Sequence, residues 1–101
     1  MNYIRKIGDW TLSNVELGGD DNYKYANIIF RNSCDEEVGI MFWKDCGDSI
    51  NFAFCSRYDE LTGVMAMDYD DLQLFILLAK RIKTYDEAIK YGKAHGFLKE
   101  D

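Results

Sequence analysis

The sequence predicts an α+β domain, with an antiparallel β-meander of four to five strands followed by two C-terminal helices packed on one face. Two observations predict this class. Apolar and polar residues alternate with a period of two in the first two-thirds of the chain, which is typical of half-buried antiparallel strands. The last third has the apolar spacing and capping residues of helices. We expect a single domain over residues 1–101, with strands within about 3–67 and helices at about 69–83 and 85–95.

The strands are predicted from their alternation and from the turn residues between them. The first follows a basic lead-in and ends at the turn-forming run Gly18–Asn22. In the third, Ile40 and Phe42 lie on one face, and Met41 and Trp43 lie on the other. If the helices cover only one face, one of these two sets is exposed. The predicted strands are Trp10–Leu17, Tyr23–Arg31, Val38–Lys44, Ser49–Tyr58 and a short Val64–Met67.

The helices are predicted from their caps. Asp68 is a suitable N-cap for the first helix, which runs to about Lys83. Thr84 begins the second helix, and Glu87 completes a Thr-x-x-Glu capping box. Gly96 is suited to the left-handed conformation that ends a helix.

The three cysteines predict neither a disulfide nor a metal site. If residues 45–48 form a hairpin turn, Cys55 pairs with Val38 on the facing strand. Cys46 then lies roughly 27–30 Å from Cys55 along the hairpin, whereas a disulfide needs Cα atoms within about 7 Å. Cys34 is the only cysteine expected near Cys55, and no C-x-x-C motif is present. We expect free thiols and no bound metal.

Catalytic chemistry has little support in the residue pattern. His95 is the only histidine and falls at a predicted helix C-terminus, where a histidine more often caps than acts as a base. Gly18 and Gly19 are followed by two aspartates, which would repel a phosphate. No carboxylate pair stands out as an acid and a base. We therefore expect a non-enzymatic protein without a cofactor.

Charge and hydropathy limit the partners and the location. The net charge of −6 disfavours direct nucleic-acid binding, which depends on Lys and Arg, and favours attraction to basic surfaces. The longest apolar run, Leu74–Ala79, is far shorter than the roughly 20 residues of a membrane span. The first residues lack the apolar stretch of a signal peptide. We expect a cytoplasmic protein that does not bind membranes.

The acidic residues are expected to concentrate at one end of the sheet. Successive turns of a meander alternate between its ends, so the turn at 18–22, the turn at 45–48 and the start of the first helix should lie together. Three interpretations remain open: local hydrogen bonding by Asp in turns and caps, a docking surface for a basic partner, or a divalent cation site. The seven carboxylates are Asp20, Asp21, Asp45, Asp48, Asp68, Asp70 and Asp71.

Some apolar residues exceed what the core requires. Leu74 widens the apolar stripe of the first helix, and Leu77 projects almost opposite to it. Either the second helix covers part of this surplus, or Leu74 and Leu77 mark a partner or dimer contact. Trp43, next to an acidic turn, would make a binding hot spot if it is exposed.

In size and charge, although not in any motif, the chain is similar to small inhibitor proteins of mobile elements and bacterial conflict systems, such as anti-CRISPR and toxin-immunity proteins. This likeness implies a binding protein that blocks or modulates a basic partner, including one that handles nucleic acid. We expect the contact to include the seven carboxylates, Trp43 and Leu77. The alternative is a homo-oligomeric structural or accessory protein that associates through Leu74, Leu77 or the open sheet face.

Overall fold

The computed structural model describes residues 4–44, 54–56 and 68–99, and these ranges contain five strands and two helices. The predicted strand Val64–Met67 lies outside them, as does most of the predicted strand Ser49–Tyr58. The strands are β1 (Lys6–Ile7), β2 (Trp10–Gly19), β3 (Lys24–Arg31), β4 (Glu37–Trp43) and β5 (Phe54–Ser56), and the helices are α1 (Tyr69–Ile82) and α2 (Tyr85–Ala94).

The five strands form one antiparallel sheet in the order of the sequence, which confirms the predicted meander. The short edge strand β1 was not predicted as a strand, because two residues are too few to show an alternation. It pairs Lys6 with Thr11 and Ile7 with Trp10. The Leu12 N–H also donates to the Arg5 carbonyl at 2.8 Å, which extends this pairing.

A β-bulge interrupts β2 between Leu12 and Asn14. Strict alternation would turn Leu12 and Val15 to opposite faces, because they are three residues apart. The extra residue of the bulge keeps both on one face, where each is buried. The Asn14 side chain accepts a hydrogen bond from the Val15 N–H at 2.8 Å. The bulge therefore keeps the apolar side of β2 continuous.

Both helices pack on one face of the sheet, which we call the helix-side face, and this confirms the prediction. Phe75 of α1 meets two aromatic rings edge-on, with ring centroids 6.0 Å from Trp10 and 5.0 Å from Phe30. Tyr91 of α2 is completely buried, and its hydroxyl donates a hydrogen bond to the Ile4 carbonyl. The other core residues of this layer are Ile7, Leu12, Val15, Ala26, Ile28, Val38, Ile40, Phe42, Leu78, Ala79, Ile82 and Ala88.

The helix ends agree with the predicted caps, with one exception. Asp68 is the N-cap residue of α1, but its side chain makes no capping hydrogen bond. Thr84 caps α2 as predicted, because its hydroxyl accepts from the Glu87 N–H at 3.2 Å. Gly96 has a φ of 82°, as expected at a helix end.

The connection between the helices is tight. Lys83 has a φ of 71°, and the Thr84 N–H donates to the Ile82 carbonyl at 2.8 Å, which makes a γ-turn centred on Lys83. A lysine in this conformation is strained, because its Cβ is crowded by the backbone.

The pairing of β4 with β5 differs by one residue from the prediction. Cys55 pairs with Gly39 rather than with Val38, and Ile40 pairs with Phe54. The predicted register rested on a four-residue turn at 45–48, which lies outside the described residues. The observed register makes two apolar positions, Ile40 and Phe54, cross-strand partners, whereas the predicted one paired Ile40 with Ala53. A one-residue slip of this kind exchanges the faces of a whole strand.

Candidate functional site

The sheet face opposite the helices, which we call the second face, carries the residues that the core does not use. Its exposure is uneven. Ile29 and Gly39, near its centre, are buried, whereas the row at the β2–β3 turn is partly exposed. Strand register places three positions in that row side by side: Gly18 on β2, Tyr25 on β3 and Trp43 on β4.

Three aromatic side chains meet in this row, and we call Tyr23, Tyr25 and Trp43 the aromatic cluster. The centroid of the Trp43 ring lies 5.5 Å from that of Tyr23 and 5.2 Å from that of Tyr25, with the planes tilted by 53° and 57°. These separations are those of favourable aromatic pairs. Tyr23 is 51% exposed, and the other two rings are partly exposed. The prediction that Trp43 lies on the face away from Ile40 and Phe42 is confirmed.

Gly18 creates the space in which Tyr25 lies. A Cβ atom at Gly18 would be 2.4 Å from the Cζ and hydroxyl of Tyr25, which is closer than real atoms approach. The Tyr25 ring therefore lies directly over the β2 backbone. Any side chain at position 18 would push this ring away.

The turn between β2 and β3 holds Tyr23 in place. One carboxylate oxygen of Asp20 accepts hydrogen bonds from the Asn22 N–H at 2.8 Å and the Tyr23 N–H at 3.2 Å, and the Asp20 N–H donates to the Tyr23 carbonyl at 2.7 Å. Local hydrogen bonding thus accounts for Asp20, which was one of the three interpretations of the acidic residues. Asp21, at the tip of the turn, is exposed.

A further carboxylate borders the aromatic cluster on the second face. Glu16 occupies the next row of the sheet, opposite Asn27, which pairs in turn with Met41. Asn14 donates a hydrogen bond to Glu16 at 3.1 Å and so helps to position it. The nearby lysines, Lys24 and Lys44, are each one residue away from a residue of the second face, Tyr25 and Trp43. Because successive side chains in a strand alternate, both lysines belong to the helix-side face. In the part of the chain that the structure describes, the second face next to the cluster therefore carries a carboxylate and no ammonium group.

The first turn of α1 does not lie beside the β2–β3 turn, and this part of the predicted layout is wrong. The Asp71 carboxylate abuts Gly8 in the β1–β2 turn, since a Cβ at Gly8 would be 2.5 Å from Asp71 Oδ1. That turn is at the start of β2, about 30 Å from Gly19 at its end. The physical reason is burial: Phe75 packs against Trp10, which fixes α1 at that end.

The predicted site residues therefore divide into separate groups. Asp20, Asp21 and Trp43 are brought together, whereas Asp68, Asp70 and Asp71 are at the opposite end of the sheet. Asp45 and Asp48 lie outside the described residues. At the α1 end, Asp9 accepts hydrogen bonds from the Ser33 hydroxyl at 2.6 Å and the Ser33 N–H at 3.3 Å, and these bonds hold the pKa of Asp9 below its usual value.

Leu77 belongs to a third surface, the outer side of α1. Leu77 is 58% exposed and Leu74 is 44% exposed, so α2 does not cover them. Tyr69, at the start of the helix, is exposed as well. This surface is distant from the aromatic cluster because α1 lies on the other side of the sheet.

Sequence reasoning missed three members of the site: Tyr23, Tyr25 and Glu16. The signal was present, because Tyr23 and Tyr25 share the parity of Asn27 on their strand. Pairing the predicted strand Tyr23–Arg31 with Val38–Lys44 would have placed Tyr25 beside Trp43. Allowing for a bulge in the predicted strand Trp10–Leu17 would have placed Glu16 on the same face.

The Cys34 thiol and the His95 ring lie apart from this cluster. Cys34 is an exposed free thiol in the turn between β3 and β4, and Cys46 is outside the described residues. His95 is the C-cap residue of α2, as predicted, and its ring packs against that of Tyr91 at a tilt of 57°, with centroids 4.5 Å apart. Burial and the nearby Arg5 charge lower the pKa of His95. Among the described residues, no group of His, Cys, Asp or Glu is arranged to hold a metal ion.

A comparison of the chain with protein-family models, curated proteins and solved structures gives no match. Within the described ranges, neither helix is long and apolar enough to cross a membrane.

Proposed function

We propose that this protein is a non-enzymatic binding protein that docks on a basic protein, through the aromatic cluster and the carboxylates beside it, and thereby inhibits or modulates that protein. The observation that carries the proposal is the clustering of Trp43 with Tyr23 and Tyr25 on the face opposite the helices. Tyrosine and tryptophan are the residues most enriched at binding hot spots.

The hydrophobic core on the helix-side face does not require this cluster. The helix-side face already contains a closed core with Tyr91, Phe30, Phe42 and Phe75 fully buried. Tyr23, in contrast, leaves half of its surface exposed to solvent. An aromatic group at the end of a sheet, next to an exposed acidic turn, offers apolar area at its centre and charge at its rim, as binding interfaces do.

The charge of the protein favours a basic partner. The chain has a net charge of −6, and Asp21 and Glu16 flank the aromatic cluster. Complementary charge speeds association and discourages acidic partners. The same charge disfavours nucleic acid itself, so a partner that handles nucleic acid would be bound through its protein surface. We place this interaction in the cytoplasm, as the sequence led us to expect.

The electrostatic part is tested by binding a short peptide of alternating basic and small residues, with an acidic peptide of equal length as the negative control. We expect binding of the basic peptide at low salt, weakening as salt increases. Asp21→Lys should weaken it further. Asp70→Lys makes the same charge change at the other end of the sheet and serves as the matched control. Equal losses in the two variants would show that net charge, rather than this site, attracts the peptide.

A second candidate function is homo-oligomeric assembly, with a structural or accessory role. It is favoured by the exposed outer side of α1, where Leu74 and Leu77 lie one turn apart. Sedimentation at two protein concentrations tests it. A strict monomer at both concentrations would contradict this candidate and leave the first one untouched.

A further inference from the structure

We propose that the aromatic cluster is a receptor for an arginine side chain of the basic partner, with the guanidinium stacked on the Trp43 indole. This inference rests on the proposed function, because it names the group by which the partner is recognised. In this proposal the flat rings contact the planar cation. The neighbouring carboxylates balance its positive charge and accept hydrogen bonds from its N–H groups.

The geometry of the rings supports a cation site. Trp43 is the central ring, and Tyr23 and Tyr25 lie within 5.5 Å of it on tilted planes, so that the three rings do not form one flat stack. Tilted rings leave part of each face available to a third group. The faces of aromatic rings carry negative charge density, and tryptophan attracts cations most strongly.

The surroundings supply negative charge on the same side. Glu16 is in the neighbouring row of the second face, and Asp21 is exposed at the tip of the adjoining turn. Among the described residues of this face, the cations Lys6 and Arg31 lie in the row of Thr11, about 20 Å from Tyr25 along β3. At physiological salt this distance exceeds the screening length of about 8 Å. A cation from a partner is therefore attracted to the aromatic end.

Arginine fits these features better than lysine does. Its planar guanidinium can stack on an indole, and it is less strongly hydrated than an ammonium, so contact with the ring loses less hydration. Its fork of N–H groups can donate to a carboxylate while the plane stays on the ring. Lysine would bring the same charge without the planar contact.

The test compares two synthetic peptides of identical length and charge, one with arginine and one with lysine at every basic position. We expect the arginine peptide to bind about fivefold more tightly, which is equivalent to about 1 kcal/mol. It should also protect tryptophan fluorescence from acrylamide, because Trp43 is partly exposed whereas Trp10 is only 6% exposed.

Two matched variants locate the preference. Tyr23→Leu removes a half-exposed ring of the cluster and should reduce the arginine peptide to the affinity of the lysine peptide. Tyr69→Leu removes a tyrosine that is 72% exposed on α1 and should leave both affinities unchanged. Neither position contributes to the buried core, so both variants should fold.

The outcomes separate this inference from the proposed function. Equal affinities for the two peptides would contradict the proposed arginine site, while the proposal of a basic partner would stand. An arginine preference that survives in Tyr23→Leu, or that is lost in Tyr69→Leu, would show that the receptor is elsewhere. Binding of neither peptide at low salt would overturn the proposed function and this inference with it.

Discussion

Replacing Tyr91 by phenylalanine removes a single oxygen atom from a buried side chain. Tyr91 is fully buried in α2, and its hydroxyl donates to the carbonyl of Ile4, a residue 87 positions away in the sequence. This bond ties the N-terminal segment to the second helix. The phenylalanine ring fills the same space, so the change tests the hydrogen bond with little change in packing.

The expected cost follows from the group that is left behind. Tyr91→Phe leaves the Ile4 carbonyl without this donor in a partly buried position, which costs about 1–2 kcal/mol of unfolding free energy. For a chain of this size, 1 kcal/mol corresponds to a decrease in Tm of about 4–8 °C. Urea unfolding, followed by circular dichroism, measures the free energy directly.

The pH dependence gives a second measure of the same group. Burial raises the pKa of Tyr91 above its ordinary value, and the Arg5 charge opposes this in part. A tyrosine that ionises near pH 10 in the unfolded chain but stays protonated in the fold stabilises the fold fully below pH 10. That contribution falls as pH rises above 10, by about 1.4 kcal/mol for each pH unit. Tyr91→Phe should therefore make stability less dependent on pH in this range.

Tyr85→Phe is the matched control. Tyr85 is also on α2, but it is only partly buried, and its hydroxyl has no hydrogen-bond partner among the described residues. We expect a change below about 0.5 kcal/mol for this variant. If Tyr91→Phe were as stable as Tyr85→Phe, or if it kept the full alkaline loss of stability, the structural role of the Tyr91 hydroxyl would be refuted.

Three further changes test other parts of the structure. Lys83→Gly should stabilise the protein by about 1 kcal/mol, because glycine relieves the strained γ-turn, whereas Lys83→Ala should not, and urea unfolding distinguishes them. Gly18→Ala should cost about 1–3 kcal/mol in urea unfolding and increase the acrylamide quenching of tryptophan, because its Cβ displaces Tyr25; unchanged quenching would contradict this packing. Since the pKa of His95 is lowered in the fold, stability should fall as pH decreases below about 6.5, and the decrease should be smaller in His95→Gln; equal decreases in urea midpoint would contradict this.

Much of the sheet could be predicted from the sequence because its strands are half-buried and alternate. The observed β3 begins one residue later than predicted and ends at the predicted residue, and the observed β4 begins and ends one residue earlier than predicted. The bulge in β2 could not be read from a period of two, since it is visible only when Leu12 and Val15 are known to share a face. The two-residue β1 is a strand because it pairs with β2, and its own two residues are too few to show an alternating pattern.

The candidate site was predicted only in part, for a similar reason. Alternation placed Trp43 on the second face, but its neighbours depend on the pairing of three strands. The grouping of the acidic residues failed because the position of α1 is set by the burial of Phe75 against Trp10 and Phe30. Local caps reveal where a helix begins in the sequence, but not at which end of the sheet.

The aromatic cluster has a structural explanation that competes with the functional one. Cross-strand aromatic pairs stabilise sheets by about 0.2–1 kcal/mol each, and Tyr25 with Trp43 is such a pair. Tyr23 is different, because it precedes β3 and leaves half of its surface exposed. If the cluster serves only the sheet, Tyr23→Leu should lower stability and leave peptide binding unchanged. If it serves a partner, the same variant should lose the arginine preference at a cost in stability below about 1 kcal/mol.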